Sequence, residues 1–134
     1  MIKVCFGDNH TIVHFGIESC FKDHRKISIV ANVKNFQAVQ EILFMKEIDI
    51  LILNLQLEGL SSILELKSIL KKFSKTKIIL YGDILEQFYV ESAIKIGISG
   101  FVCKTEKVEI LEQSILLVNQ GHTFINDAIR TNID

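Results

Sequence analysis

Short runs of branched apolar residues recur five times along this chain, and each is followed by a longer stretch with helical spacing. The runs cover residues 2–6, 27–31, 50–53, 77–80 and 100–103, and they are nearly continuous in Ile, Val and Leu. A strand half exposed to water alternates apolar with polar residues, whereas a continuous apolar run needs cover on both faces. Between and after these runs, residues 11–21, 35–45, 62–73, 85–96 and 108–118 repeat apolar side chains every three or four positions. The first of these stretches is expected to turn Ile12, Phe15 and Cys20 to one side, and the second Phe36, Val39, Ile42 and Leu43. The third is expected to face Ile63, Leu66, Ile69 and Leu70 inward and Lys67, Lys71 and Lys72 outward. The last does so through Val108, Leu111, Ile115 and Val118.

Parallel neighbours need crossover connections, so this alternation predicts an α/β fold with helices on both faces of a parallel sheet. With five strands in 134 residues, the expected architecture is a flavodoxin-like (βα)5 three-layer sandwich with strand order 2-1-3-4-5. Prolines are absent, and Gly7, Gly59, Gly82, Gly97 and Gly121 punctuate the chain. We read residues 1–120 as one domain. Residues 121–134, apolar only at Phe124-Ile125 before turning polar, are expected to form a docked last turn or the start of a linker to an absent output domain.

Lys and Arg number 15 against 16 Asp and Glu, which leaves no concentrated cation excess and predicts no direct nucleic-acid contact. The run of Lys67, Lys71, Lys72, Lys75 and Lys77 reads as a solvated helix face and its exit. Met1 leads straight into a strand pattern without an export signal, and no apolar stretch is long enough to cross a bilayer. Cys5, Cys20 and Cys103 are odd in number, lack paired spacing and sit in apolar surroundings, so all are expected to be buried thiols. The expected location is the cytoplasm, with no membrane contact. His14, His24 and His122 have no ligand spacing, and His10 reads as an exposed loop residue.

Ligands of open parallel sheets sit at the carboxyl ends of the strands. Those ends carry Gly7-Asp8-Asn9-His10, Asn54-Leu55-Gln56-Leu57-Glu58-Gly59, Tyr81-Gly82-Asp83 and Lys104-Thr105. These clusters resemble, in order, the motifs of the receiver domain of two-component response regulators. The first is similar to the strand that delivers an acidic pair, and the second to the strand bearing the phospho-accepting aspartate. The segment from Ala93 through Gly97, Gly100 and Phe101 to Lys104 is similar to the one ending in the family's required lysine. Asn119-Gln120-Gly121-His122-Thr123-Phe124 resembles the end of NarL/FixJ-type receivers, before their linker.

The resemblance implies a phosphorelay signalling module, not an enzyme, regulating transcription through a helix-turn-helix domain beyond the linker. In such receivers the acidic pair and the aspartate hold magnesium, the aspartate takes a phosphoryl group, and a hydroxyl residue and the lysine bind it. Carried over, Asp8, Lys104 and the aromatic switch position Phe101 are kept. Asn9 replaces the second acid, Asn54 the nucleophile and Tyr81 the hydroxyl residue, while Glu58 stands where proline is usual.

An amide oxygen is no substitute for a carboxylate nucleophile. Magnesium also requires hard, charged oxygens, and each lost carboxylate removes a charge pair of about 4 kcal/mol at 4 Å and an effective dielectric of 20. The expected site is therefore a pseudo-receiver pocket of Asp8, Asn9, Asn54, Tyr81 and Lys104, with no cofactor and no metal at Asp8, Asn9 or Asn54. Asp8 and Lys104 are expected to pair, with Asn54 between them and the Tyr81 hydroxyl capping the cluster. Asp83 and Glu58 are weaker substitute ligands on the same rim.

The implied partners are proteins: a histidine kinase, an output domain, or a second copy. A second copy would dock through the fourth helix, fifth strand and fifth helix, around Phe88, Tyr89, Phe101 and Val102. Two alternatives remain. One is a phospho-accepting receiver with a nonstandard acceptor. The other is a free-standing flavodoxin-like adaptor or small-ligand-binding protein, which lacks a glycine-rich phosphate cradle and has only two Tyr and no Trp for ring stacking.

Overall fold

The computed structural model describes residues 1–83 and 87–126, less the side chains of 87 and 88. Its elements, in order, are β1 (Ile2–Gly7), α1 (Thr11–Phe21), β2 (Ile27–Val33), α2 (Phe36–Met45), β3 (Ile50–Asn54) and α3 (Ile63–Lys72). They continue with β4 (Lys77–Gly82), α4 (Gln87–Ile96), β5 (Gly100–Cys103), α5 (Val108–Asn119) and β6 (Phe124–Ile125). The strands form one parallel sheet in the order β2-β1-β3-β4-β5-β6. This is the flavodoxin-like arrangement predicted from strand–helix alternation, with one further strand at the edge. The start of the stretch expected to be helical from residue 85 lies outside the described residues.

Alternate side chains of each strand enter opposite halves of the core, as the two-residue period of a strand requires. Val4, Phe6, Ile50, Ile52, Ile79 and Val102 pack with α1 and α5 through Ile17, Phe21, Leu111, Ile115 and Val118. Cys5, Leu51, Leu53, Ile78, Leu80 and Phe101 pack with α2, α3 and α4 through Val39, Leu43, Leu66, Ile69, Val90 and Ala93. Every residue of β3 is buried, as a central strand covered on both sides must be. Between β1 and β2 the register slips, Val4 pairing with Ile29 and Cys5 with Ala31. The carbonyl of the skipped Val30 accepts instead from Lys46 Nζ at 3.1 Å.

Local chemistry fixes the helix starts. The Asn35 side chain accepts from Ala38 N, and Ser62 forms a capping box with Glu65, so both residues precede their helices. Gly100 lies so close to β4 that a Cβ there would stand 2.8 Å from Ile79 Cγ1.

Several expectations need correction, among them Val108, which stands 38% exposed at the first position of α5. In α1 it is His14, Ile17 and Phe21 that are buried, while Ile12 and Phe15 are 79% and 69% exposed. The helix is turned by hydrogen bonds of His14, described below, which apolar spacing does not report. Cys20 shares the outward part of α1 and is exposed, whereas Cys5 and Cys103 are buried. Finally, Phe101 and Val102 are buried at 0% and 1% exposure, so neither reaches the surface assigned to a second copy. Strand β5 runs between β4 and β6, and its side chains are spent on the two helical layers. Tyr89 stays partly buried, and the Phe88 side chain lies outside the described ones.

Candidate functional site

Strands β1, β3, β4 and β5 end beside one another, and their last residues bring Asp8, Asn54, Tyr81 and Lys104 together. Asp8 is fully buried. Its Oδ1 accepts from His10 N at 2.8 Å and lies 3.1 Å from His10 Nδ1. Its Oδ2 accepts from Asn54 Nδ2 at 3.0 Å and lies 3.5 Å from the Lys104 ammonium. Burial, the largest single influence, raises the Asp8 pKa; the backbone of His10, the Asn54 amide, the His10 ring and the Lys104 charge together outweigh it. The carboxyl is held below its ordinary range and stays ionised. Asn54 thus lies between Asp8 and the β3–α3 loop, and the pairing of Asp8 with Lys104 is direct.

The two asparagines have fixed orientations. Asn54 Oδ1 accepts from Gln56 N at 2.9 Å while its Nδ2 donates to Asp8. Asn9 Nδ2 donates to Gln56 O at 2.8 Å, and its Oδ1 accepts from Glu58 N at 2.8 Å. Each amide uses one donor and one acceptor, and each donor faces an oxygen. An ionised carboxylate carries acceptors only, so an aspartate at either position would set oxygen against oxygen.

Tyr81 joins the cluster through its ring. The ring meets Phe6 edge-on at 5.6 Å between centroids, and the Lys104 ammonium stands 5.8 Å from its centroid. Burial, followed by the charges of Asp8 and Asp83, raises the Tyr81 pKa, so the phenol remains protonated. Phe101, at the aromatic switch position, is wholly packed into the core on the α2, α3 and α4 side.

Glu58 and Asp83 are exposed on the rim. Glu58 meets the cluster through its backbone, donating to Asn9 and accepting from Phe36 N at 2.7 Å. Among the described residues no three His, Cys, Asp or Glu side chains gather as a metal site. A hard dication would find one carboxylate at the three family positions, with both of its oxygens already taken by protein donors. That donor set suits magnesium poorly.

Two further side chains support the cluster without belonging to any of its motifs. His14 is buried on α1, with Nε2 2.8 Å from Asp8 O and Nδ1 2.8 Å from Asn32 Oδ1, so it fixes the loop beneath Asp8. Its place at the fourth position of a helix beginning at Thr11 was the available signal, since that residue points back over the preceding turn. Asn126, also buried, accepts from Cys103 N at 3.0 Å and donates to Glu106 Oε1 at 3.2 Å, tying the end of β6 to the loop that carries Lys104. His10, read as a loop residue, is exposed and yet touches Asp8.

With this geometry in view, the likeness to known proteins is specific. The family profile of the response regulator receiver domain matches residues 4–116. Fimbriae Z protein of Escherichia coli K12 is 26% identical over 122 residues, covering 91% of this chain and 58% of that protein. The oxygen regulatory protein NreC of Staphylococcus epidermidis is 25% identical over 134 residues, covering 98% of this chain and 61% of that protein. The chain therefore spans about three fifths of these curated relatives. Among solved structures, the isolated REC domain of RcsB from Salmonella enterica serovar Typhimurium superposes with a TM-score of 0.90 at 20% identity, covering 99% of both chains. A profile match across most of the sequence, on a fold shared from end to end, places this chain in the response regulator receiver domain family.

Proposed function

We propose that this receiver signals without phosphorylation, through protein–protein contact, and that its strand-end cluster is a permanent hydrogen-bonded lock. The observation that carries the reading is the fixed orientation of Asn54. Its Nδ2 donates to the Asp8 oxygen that also faces Lys104 and its Oδ1 accepts from Gln56 N, so an amide ties Asp8 to the β3–α3 loop where a carboxylate nucleophile would otherwise stand. Asn9 serves the same end by stapling the β3–α3 loop through Gln56 and Glu58. With Tyr81 lying against Phe6 and Phe101 packed in the core, the residues that would answer a phosphoryl group already have settled positions. In a longer regulator, such a module presents a constant surface to a protein partner and passes that contact to a DNA-binding output domain, as the NarL/FixJ resemblance implies.

Incubation with acetyl phosphate and magnesium, followed by intact mass spectrometry, tests this. The expected result is an unmodified chain, together with no rise in melting temperature on adding millimolar magnesium. The Asn54→Asp variant is expected to behave oppositely. Its new carboxylate meets Asp8 at contact distance and costs about 2 kcal/mol without metal, and magnesium restores stability. A labile phospho-adduct on the parent chain, or magnesium stabilising the parent as much as the variant, would falsify the proposal.

A further inference from the structure

At the end of the sheet opposite the strand-end cluster, α2 and α3 finish side by side with an apolar surface that the core does not use. Phe44 and Met45, the last residues but one and the last of α2, are 66% and 77% exposed. Phe44 is nevertheless held in place. Its edge meets Phe73 at 5.3 Å between centroids, and the Lys72 ammonium sits 4.3 Å from its centre. Beside it runs a groove of about 270 Å³ whose apolar lining is Leu43, Ile48 and Phe73 and whose charged lining is Lys46, Lys72 and Lys75 with Glu47. Lys71 is exposed on the last turn of α3. The carboxylates nearest in sequence are engaged elsewhere, Glu47 with Lys3 at 3.7 Å and Glu41 with Gln37 at 3.2 Å.

Lysines in a last helical turn complement the helix dipole, which accounts for Lys71 and Lys72. Lys46 is engaged with Val30 O, which leaves Lys75 and the exposed pair Phe44 and Met45 unexplained. An apolar patch flanked by three lysines and one carboxylate is the form of an interaction site, and the cation excess names the partner's sign. A groove with a concave apolar lining suits an inserted side chain better than a flat lipid surface. The Lys72 ammonium covers one face of Phe44 and so narrows the platform on which a nucleotide base would stack.

We propose that the joined ends of α2 and α3 dock an acidic peptide segment of a partner protein that presents one apolar side chain to the groove. Fluorescence anisotropy with a labelled decapeptide, a central Leu flanked by Asp and Glu, measures the contact. The controls are the same peptide with Ser for Leu, a single-stranded RNA of equal length, and phosphatidylserine vesicles. The expected outcome is salt-sensitive binding of the Leu peptide at least about fivefold tighter than of the Ser peptide. Lys71→Glu with Lys75→Glu weakens it about tenfold and Phe44→Ser about fivefold, whereas Lys95→Glu on the exposed end of α4 changes nothing. Lys71 and Lys75 are exposed, so that variant keeps the parent's circular dichroism and loses only the small part of its melting temperature that reversing the helix-dipole contact of Lys71 costs. Equal affinity for the Leu and Ser peptides, an equal loss with Lys95→Glu, no binding at all, or preference for the RNA or the vesicles overturns the proposal.

Discussion

Asp8 is the residue on which the cluster's charge balance turns, because His10, Asn54 and Lys104 all direct donors at its carboxylate. Its folded pKa is depressed, so the ionised form contributes stability that is fully present above the unfolded value of about 3.9 and is lost as pH falls through the lower folded value. The pH window is therefore acidic, below about pH 4. Asp8→Asn leaves the mostly buried Lys104 without its counter-charge and turns an amide donor toward Asn54, at a cost of about 3 kcal/mol near neutrality. Urea unfolding at a series of pH values is expected to show that cost constant from pH 7 to about 5 and shrinking below about 4, as the parent's carboxyl protonates. A difference unchanged down to pH 3 would show that Asp8 contributes through shape and not charge.

The positions of this cluster were legible from sequence because a parallel sheet gathers its strand ends, and the identity of each terminal residue can be read directly. What the side chains do there was only partly legible. The spacing of Asn9 from Gln56 and Glu58 exceeds forty residues, so its role as a loop staple appears only when the two loops meet. Tyr81 has a hydroxyl and a ring, and composition does not say that the ring finds Phe6 and Lys104.

Among the elements, the interior strands were legible because burial on both faces leaves little room for anything but Ile, Val, Leu and Phe. Helix α1 was not, since its rotation is set by His14, a polar residue whose two ring nitrogens reach Asp8 and Asn32. Strand β6 was visible only as an apolar dipeptide, too short to distinguish a strand from a turn. It pairs because Phe124 N donates to Ser99 O at 2.8 Å and Asn126 N to Phe101 O at 3.0 Å, with the Asn126 side chain satisfying Cys103 N. Asn126→Ala strands that buried N–H, and a loss of about 1–3 kcal/mol is expected. Amide hydrogen exchange should accelerate at Cys103, Phe124 and Asn126 while β1 and β3 keep their protection. Thr123→Ala, on an exposed residue beside the strand, serves as the control and should leave both groups unchanged. Protection at Cys103 equal to that of the parent would mean that β6 does not hold the loop of Lys104.

For the molecule as a whole, the three cysteines occupy three depths of one architecture, and thiol chemistry can therefore read how it opens. Cys20 faces solvent on α1. Cys103 ends β5 under the cover of Asn126, its thiol pKa raised by burial and then by Glu106. Cys5 lies in β1, between β2 and β3 and wholly buried, with its thiol pushed up to about 12 mainly by burial. Only a thiolate attacks a disulfide reagent, and a buried thiol forms one only after its cover has moved. With a colorimetric disulfide reagent at mildly alkaline pH, Cys20 should react at once and Cys103 more slowly, through release of the β6 edge. Cys5 should react only at the rate set by global unfolding, because exposing it requires the sheet itself to part. Asn126→Ala should then hasten Cys103 by more than Cys5, and low urea should hasten Cys5 in step with the global stability. Labelling of Cys5 as fast as Cys103 would mean that β1 separates from its neighbours before the edge does. That order is incompatible with a core built on the two faces of the central strands.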